Sequence, residues 1–131
     1  MTRRIIWAVA AVFVAWSILD FILHGLLLRS TYEATASLWR PMDQMKMGLM
    51  HLVTLVCSVC FVLIYGFLIS PKSMCPAIRG GALFGLAAGI SMGFGSYSVM
   101  PISLTLACSW FLGTLVEGIV AGAIVGAILK A

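Results

Sequence analysis

Four long apolar runs, separated by short stretches richer in polar residues, set the pattern of this chain. They cover about residues 5–28, 47–69, 81–100 and 104–129. At 1.5 Å per residue each run makes ~30 Å or more of helix, enough to cross the hydrocarbon core of a bilayer. Lipid offers backbone N–H and C=O groups no partner, so a spanning segment must be a helix or part of a closed barrel. The short alternating segments of a barrel are missing from the pattern. The expectation is an all-α integral membrane four-helix bundle, up-down-up-down, forming a single transmembrane domain over residues 1–131.

The breaks between runs are marked by residues that end helices. Pro71 and Pro76 fall in an inner loop expected at 70–80, and Pro101 separates the third run from the fourth. That last link is short, so the third and fourth helices are expected to form an antiparallel hairpin. The longest polar stretch, 29–46, carries Glu33, Arg40 and Asp43 and is expected as a partly helical outer loop on the membrane surface.

Composition agrees with this pattern. The chain is 63% hydrophobic and 9% charged, against about 25% charged in a soluble domain. The net charge of +4 does not indicate nucleic acid, because the basic residues are scattered and form no patch interleaved with aromatics. They bear on orientation instead, since basic loops are retained in the cytoplasm. With the N-terminus inside, the cytoplasmic side holds Arg3, Arg4, Lys72, Arg79 and Lys130, and the outer side Arg29, Arg40 and Lys46. The expected location is the inner (cytoplasmic) membrane, multi-pass, with both termini cytoplasmic. Trp7 and Tyr65 are expected as aromatic anchors at the inner interface, and Tyr32, Trp39 and Tyr97 at the outer one.

The start, Arg3-Arg4 followed by apolar residues, has some features of a secretory leader. The apolar run continues past Asp20 to Leu28, which favours a first membrane span. Cys57, Cys60 and Cys108 lie within apolar runs and Cys75 in the inner loop, so free thiols are expected. Cys57 and Cys60 have the spacing of a zinc half-site, but no second pair accompanies them, which favours packing.

Glycine spacing is the most specific pattern. Gly81, Gly85, Gly89 and Gly93 recur every fourth residue in the third run, and Gly118, Gly122 and Gly126 do so in the fourth. In lipid, apolar side chains gain little by meeting each other, so helices associate where small residues let backbones approach. The pattern predicts glycine-zipper packing of helices 3 and 4. Alternatively, the same faces meet another subunit.

Polar side chains within the runs carry the candidate chemistry. Asp20 and His24 stand on the first helix, His51 on the second and Glu117 on the fourth. Such groups are costly in lipid and tend to face a partner or a functional path. Asp20 and His24 are four apart and share a face. Counted from the span centres, His24 and His51 lie ~10 Å toward the outer side, Asp20 ~5 Å, and Glu117 near the midplane. Nothing comparable continues toward the cytoplasm, so a complete ion path is not expected. Asp20, His24, His51 and Glu117 suit a proton, zinc or iron. The two histidines suit haem, and Met47 with His51 offers a softer site for cuprous copper. The structural alternative is that Asp20 bonds to His24 or a nearby hydroxyl, that His51 sits wet at the interface, and that Glu117 is a buried, protonated carboxyl.

These residues do not name a cofactor. No nucleophile with a neighbouring base and no nucleotide-binding loop is present, so an enzyme is not expected. The leading expectation is a structural or interaction role: an accessory subunit or self-associating bundle, homo-oligomeric or part of a larger membrane complex, with the lipid bilayer as its surroundings and no nucleic-acid partner. The alternative is a proton- or metal-ion-handling carrier or cofactor-binding protein.

Overall fold

The computed structural model describes residues 1–130. Among them the regular structure is entirely helical. Four helices are long and apolar enough to cross a membrane, which is the make-up of a multi-pass membrane protein: α1 (Thr2–Leu27), α3 (Met47–Leu68), α4 (Met74–Val99) and α5 (Leu104–Ile128). A short helix, α2 (Arg29–Ala34), and two single 3₁₀ turns, Ala36–Leu38 and Met42–Gln44, fill the stretch between α1 and α3.

The helix boundaries follow local chemistry. Helix α4 begins at Met74, earlier than the expected start at Gly81. Pro76 sits in its first turn, where backbone N–H groups have no intrahelical acceptor and proline costs nothing. Cys75 and Arg79 therefore lie on α4 and not in a loop. At the end of α3, Lys72 Nζ donates to the Tyr65 carbonyl (2.9 Å) and to that of Ile69, supplying partners to the helix's last acceptors. Helix α5 starts after Pro101 with Ser103 as its cap, whose Oγ accepts from the Leu106 amide at 3.1 Å. The four cysteines are free.

Packing is closest between α4 and α5. A methyl group built on Gly85 would stand 2.9 Å from Leu115 Cα, and one on Gly89 2.8 Å from the Phe111 carbonyl. Gly81 faces the Gly118 carbonyl, Gly122 the Ala77 carbonyl, Gly93 the Ala107 carbonyl, and Gly126 the side chains of Ala77 and Met74. Numbers rise along one helix as they fall along the other, so the pair is antiparallel. All seven glycines thus face the neighbouring helix of their own chain. Because every face of these helices is apolar, hydrophobicity does not choose the buried one; the absence of side chains does.

Helix α1 lies against this pair. Its buried residues Ala8, Val12 and Trp16 are spaced by four and join Phe61, Val62 and Tyr65 of α3 and Ala121 and Val125 of α5 in the larger core. Trp16 stacks on Phe84 of α4 (6.3 Å), while Phe61 meets both rings edge-on. Arg4 donates to the Lys130 carbonyl at 3.1 Å, which brings the start of α1 to the end of α5. A second core, Leu28, Ile102, Leu106, Ala107 and Trp110, lies at the opposite end of the bundle, beneath Tyr32, Leu38 and Trp39 of the stretch between α1 and α3. We call this the loop end. The buried residues of α3, namely Ser58, Phe61, Val62 and Tyr65, all lie in its second half, whereas residues 47–53 are all exposed.

The aromatic side chains divide in a way that periodicity does not anticipate. Trp7 is 69% exposed and Tyr97 44%, as interface anchors would be. Tyr65 is 1% exposed and donates to the Ser73 carbonyl, so it packs the core. Tyr32 and Trp39 are half-buried and turned onto Trp110.

Candidate functional site

Between the two cores, on the loop-end half of α1, Ser17, Asp20 and His24 follow each other at spacings of three and four and so share one face. Near this point α1 widens into a π-helical turn over Phe21–Leu27, with the Leu28 amide bonding back five residues to the Leu23 carbonyl at 2.8 Å. π-Helical turns within α-helices occur frequently at functional sites. A second such turn, Ser91–Gly95, lies near the loop end of α4.

Helix α2 then returns over the end of α1 and sets Tyr32 above His24. The His24 Nδ1 to Tyr32 hydroxyl distance is 2.5 Å. From α5, Trp110 Nε1 donates to the same hydroxyl at 2.7 Å. Trp39 packs edge-on against both Tyr32 (5.5 Å) and Trp110 (6.0 Å). Its own indole N–H goes to Thr35 Oγ1 at 2.9 Å, and that hydroxyl donates to the Thr31 carbonyl at 2.8 Å. Residues 31–39 are thereby held as a cap by local hydrogen bonds and ring contacts.

Toward the bundle centre, His24 Nε2 stands 4.0 Å from Asp20 Oδ1. The Asp20 carboxyl in turn lies close to that of Glu117 on α5. Glu117 lies seven residues, or two turns, beyond Trp110 and so occupies the same face. Trp16 Nε1 donates to the Glu117 backbone carbonyl at 2.8 Å, pinning α1 to α5 at this level. The result is a line of groups, Trp110, Tyr32, His24, Asp20 and Glu117, joining the cap to the interior. Nearby, Ser17 Oγ is buried without a hydrogen-bond partner among the described residues. An unpartnered buried hydroxyl is a natural point for a water or ligand atom.

The site is only partly enclosed: the side chains of His24 and Asp20 are 33% and 37% exposed. Burial pushes the Tyr32 hydroxyl above the usual phenol range; the Trp110 hydrogen bond opposes this and the nearby Asp20 charge adds to it. Tyr32 is therefore a neutral phenol, able to donate one hydrogen bond.

Of the residues singled out from sequence, Asp20, His24 and Glu117 come together. His51 and Met47 do not: both are exposed on the first half of α3 and make no hydrogen bond or ion pair among the described residues. Among the described residues, no group of three or more His, Cys, Asp and Glu side chains is arranged to hold a metal ion. Tyr32 and Trp110 were not anticipated. Tyr32 carries only the expectation of an interface anchor and Trp110 none, and no helical period links positions 24, 32 and 110, which only the tertiary fold brings together.

Compared with known proteins, the chain matches no family model, no curated protein and no solved structure.

Proposed function

We propose that this chain is a proton- or cation-handling membrane protein whose site is the Asp20, His24 and Glu117 group, capped at the loop end by Tyr32, Trp39 and Trp110. The observation that carries this reading is the convergence of Asp20 and His24, 4.0 Å apart on α1, with Glu117 of α5, whose backbone Trp16 pins to α1, within an otherwise apolar bundle. A carboxylate is only an acceptor, so two of them hydrogen-bond to each other only when one carries a proton. Without a proton, two adjacent negative charges away from water require a cation. The pair is thus built to be occupied.

In this reading the helices alternate up-down-up-down, and the glycine faces of α4 and α5 form a glycine zipper that makes a rigid wall for the site. The basic residues put both termini and Lys72 in the cytoplasm, so the cap faces outward. Among the described residues no ionisable group extends the line beyond Glu117 toward the termini end, which suits reversible binding from one side better than conduction through the bundle.

Infrared difference spectroscopy on the protein in lipid, stepped from alkaline to acidic pH, tests the proposal. The expected result is a protonated carboxyl band that rises reversibly and is lost in both Asp20→Asn and Glu117→Gln. Absence of such a band, or its persistence in both variants, counts against the site.

A second reading, association as an accessory subunit or self-associating bundle, draws support from α3. Its residues 47–53 are all left exposed by the described residues, whereas the glycine faces are already occupied within the chain. Native mass measurement after gentle extraction distinguishes a monomer from an assembly held through this half-helix.

A further inference from the structure

We infer that Tyr32 is a positioning residue that fixes the tautomer of His24, so that Nε2–H points at Asp20 and the site takes up a proton and not a metal ion. This rests on reading Asp20, His24 and Glu117 as the binding site. An indole N–H can only donate, so in the Trp110–Tyr32 contact the phenol oxygen is the acceptor. The phenol's own hydrogen then needs an acceptor, and among the described residues the atom placed to receive it is His24 Nδ1, at 2.5 Å. Trp39 offers none, because its nitrogen is likewise a donor, used by Thr35. With Nδ1 accepting, a neutral imidazole carries its proton on Nε2, the nitrogen that faces Asp20 at 4.0 Å.

The opposite tautomer would set Nδ1–H and Trp110 N–H against one oxygen and leave the phenol hydrogen unbonded in a half-buried position. Losing a buried hydrogen bond of this kind shifts such an equilibrium about ten-fold.

The consequence for the ligand follows from atom roles. A metal would need a bare nitrogen lone pair. Nδ1 has its lone pair engaged by Tyr32, and Nε2 carries a hydrogen. Coordination through Nε2 would require moving the proton to Nδ1 and breaking the order of donors back to Trp110. A proton needs no such rearrangement: it enters among the Asp20 and Glu117 carboxyls and the imidazole, while the cap stays as it is. The titratable side chains facing one another here are Asp20 and His24 of α1, Tyr32 of α2 and Glu117 of α5.

Nitrogen NMR of the full chain in lipid nanodiscs tests this, with ¹⁵N-labelled histidine and a His51→Ala change that leaves one signal set. At a pH where the imidazole is neutral, His24 should be in the Nε2–H form by about ten to one. Tyr32→Phe should bring the two tautomers to comparable populations, and added zinc should leave the wild-type signals in place. A predominant Nδ1–H form in the wild type overturns the assignment, and this single spectrum decides even if Tyr32→Phe does not fold. An unchanged ratio in a folded Tyr32→Phe protein removes the positioning role. Zinc-dependent shifts at His24 overturn the choice of a proton. The tautomer is read without reference to the carboxyls, so loss of the infrared band with a fixed tautomer would sink the proposed site alone.

Discussion

Tyr32 connects three separate parts of the chain through one oxygen atom: its own surface helix, His24 of α1 and Trp110 of α5. Because burial holds its hydroxyl above the ordinary phenol value, the folded protein binds that proton more tightly than the unfolded chain does. The resulting stabilisation is present below the unfolded value of about 10 and is lost as pH rises through the higher folded value. Thermal unfolding in detergent, followed across an alkaline titration, should therefore fall more steeply in the wild type than in Tyr32→Phe. Parallel curves for the two proteins would mean that this hydroxyl is not coupled to folding. Asp20, His24 and Glu117 could be picked out from sequence because charge within an apolar run is conspicuous. Tyr32 and Trp110 could not, because an aromatic residue near a span end has an ordinary explanation. His51, equally conspicuous, is left exposed because the half of α3 that carries it does not join the bundle.

At the scale of helices, the α4–α5 contact depends on missing side chains. A Cβ at Gly118 would stand 2.7 Å from Gly85 Cα, and at such distances only a backbone shift makes room. Gly85→Leu and Gly118→Leu should each lower thermal stability in detergent by about 1–3 kcal/mol or more, the range in which overpacking is felt. Gly48 is the control, since nothing lies within 4 Å of a Cβ placed there. Gly48→Ala should be neutral or raise helix stability by up to about 1 kcal/mol. Equal losses at positions 48 and 85 would mean that the effect comes from the substitution itself and not from the contact. The early start of α4 shows how local rules compete. Pro76 marks the end of one helix when the chain is scanned, yet it fits the first turn of the next.

For the whole molecule, the orientation proposal rests on the larger share of basic residues, Arg3, Arg4, Lys72, Arg79 and Lys130, assigned to the end where Arg4 meets Lys130. With the four native cysteines replaced, Ala36→Cys should react with a membrane-impermeant thiol reagent from the outside. Met74→Cys, exposed at the start of α4, should react only after the membrane is opened. The reverse pattern would invert the molecule and place the cap in the cytoplasm, leaving the internal geometry of the site unaffected.

The sequence by itself determined the solvent, the helical class, the number of long apolar helices and the glycine-lined faces. Each follows from a local rule: lipid leaves backbone groups only their own helix, and four-residue spacing fixes a face whatever lies opposite. Only the tertiary structure decided that those faces meet each other, that Asp20 meets Glu117, that His51 stands apart and that Tyr32 and Trp110 complete the line. Those outcomes depend on the rotation and level of one helix against another. In a bundle whose helices are apolar on every side, the hydrophobic pattern carries no information about rotation, so close backbone contacts and a few hydrogen bonds settle it.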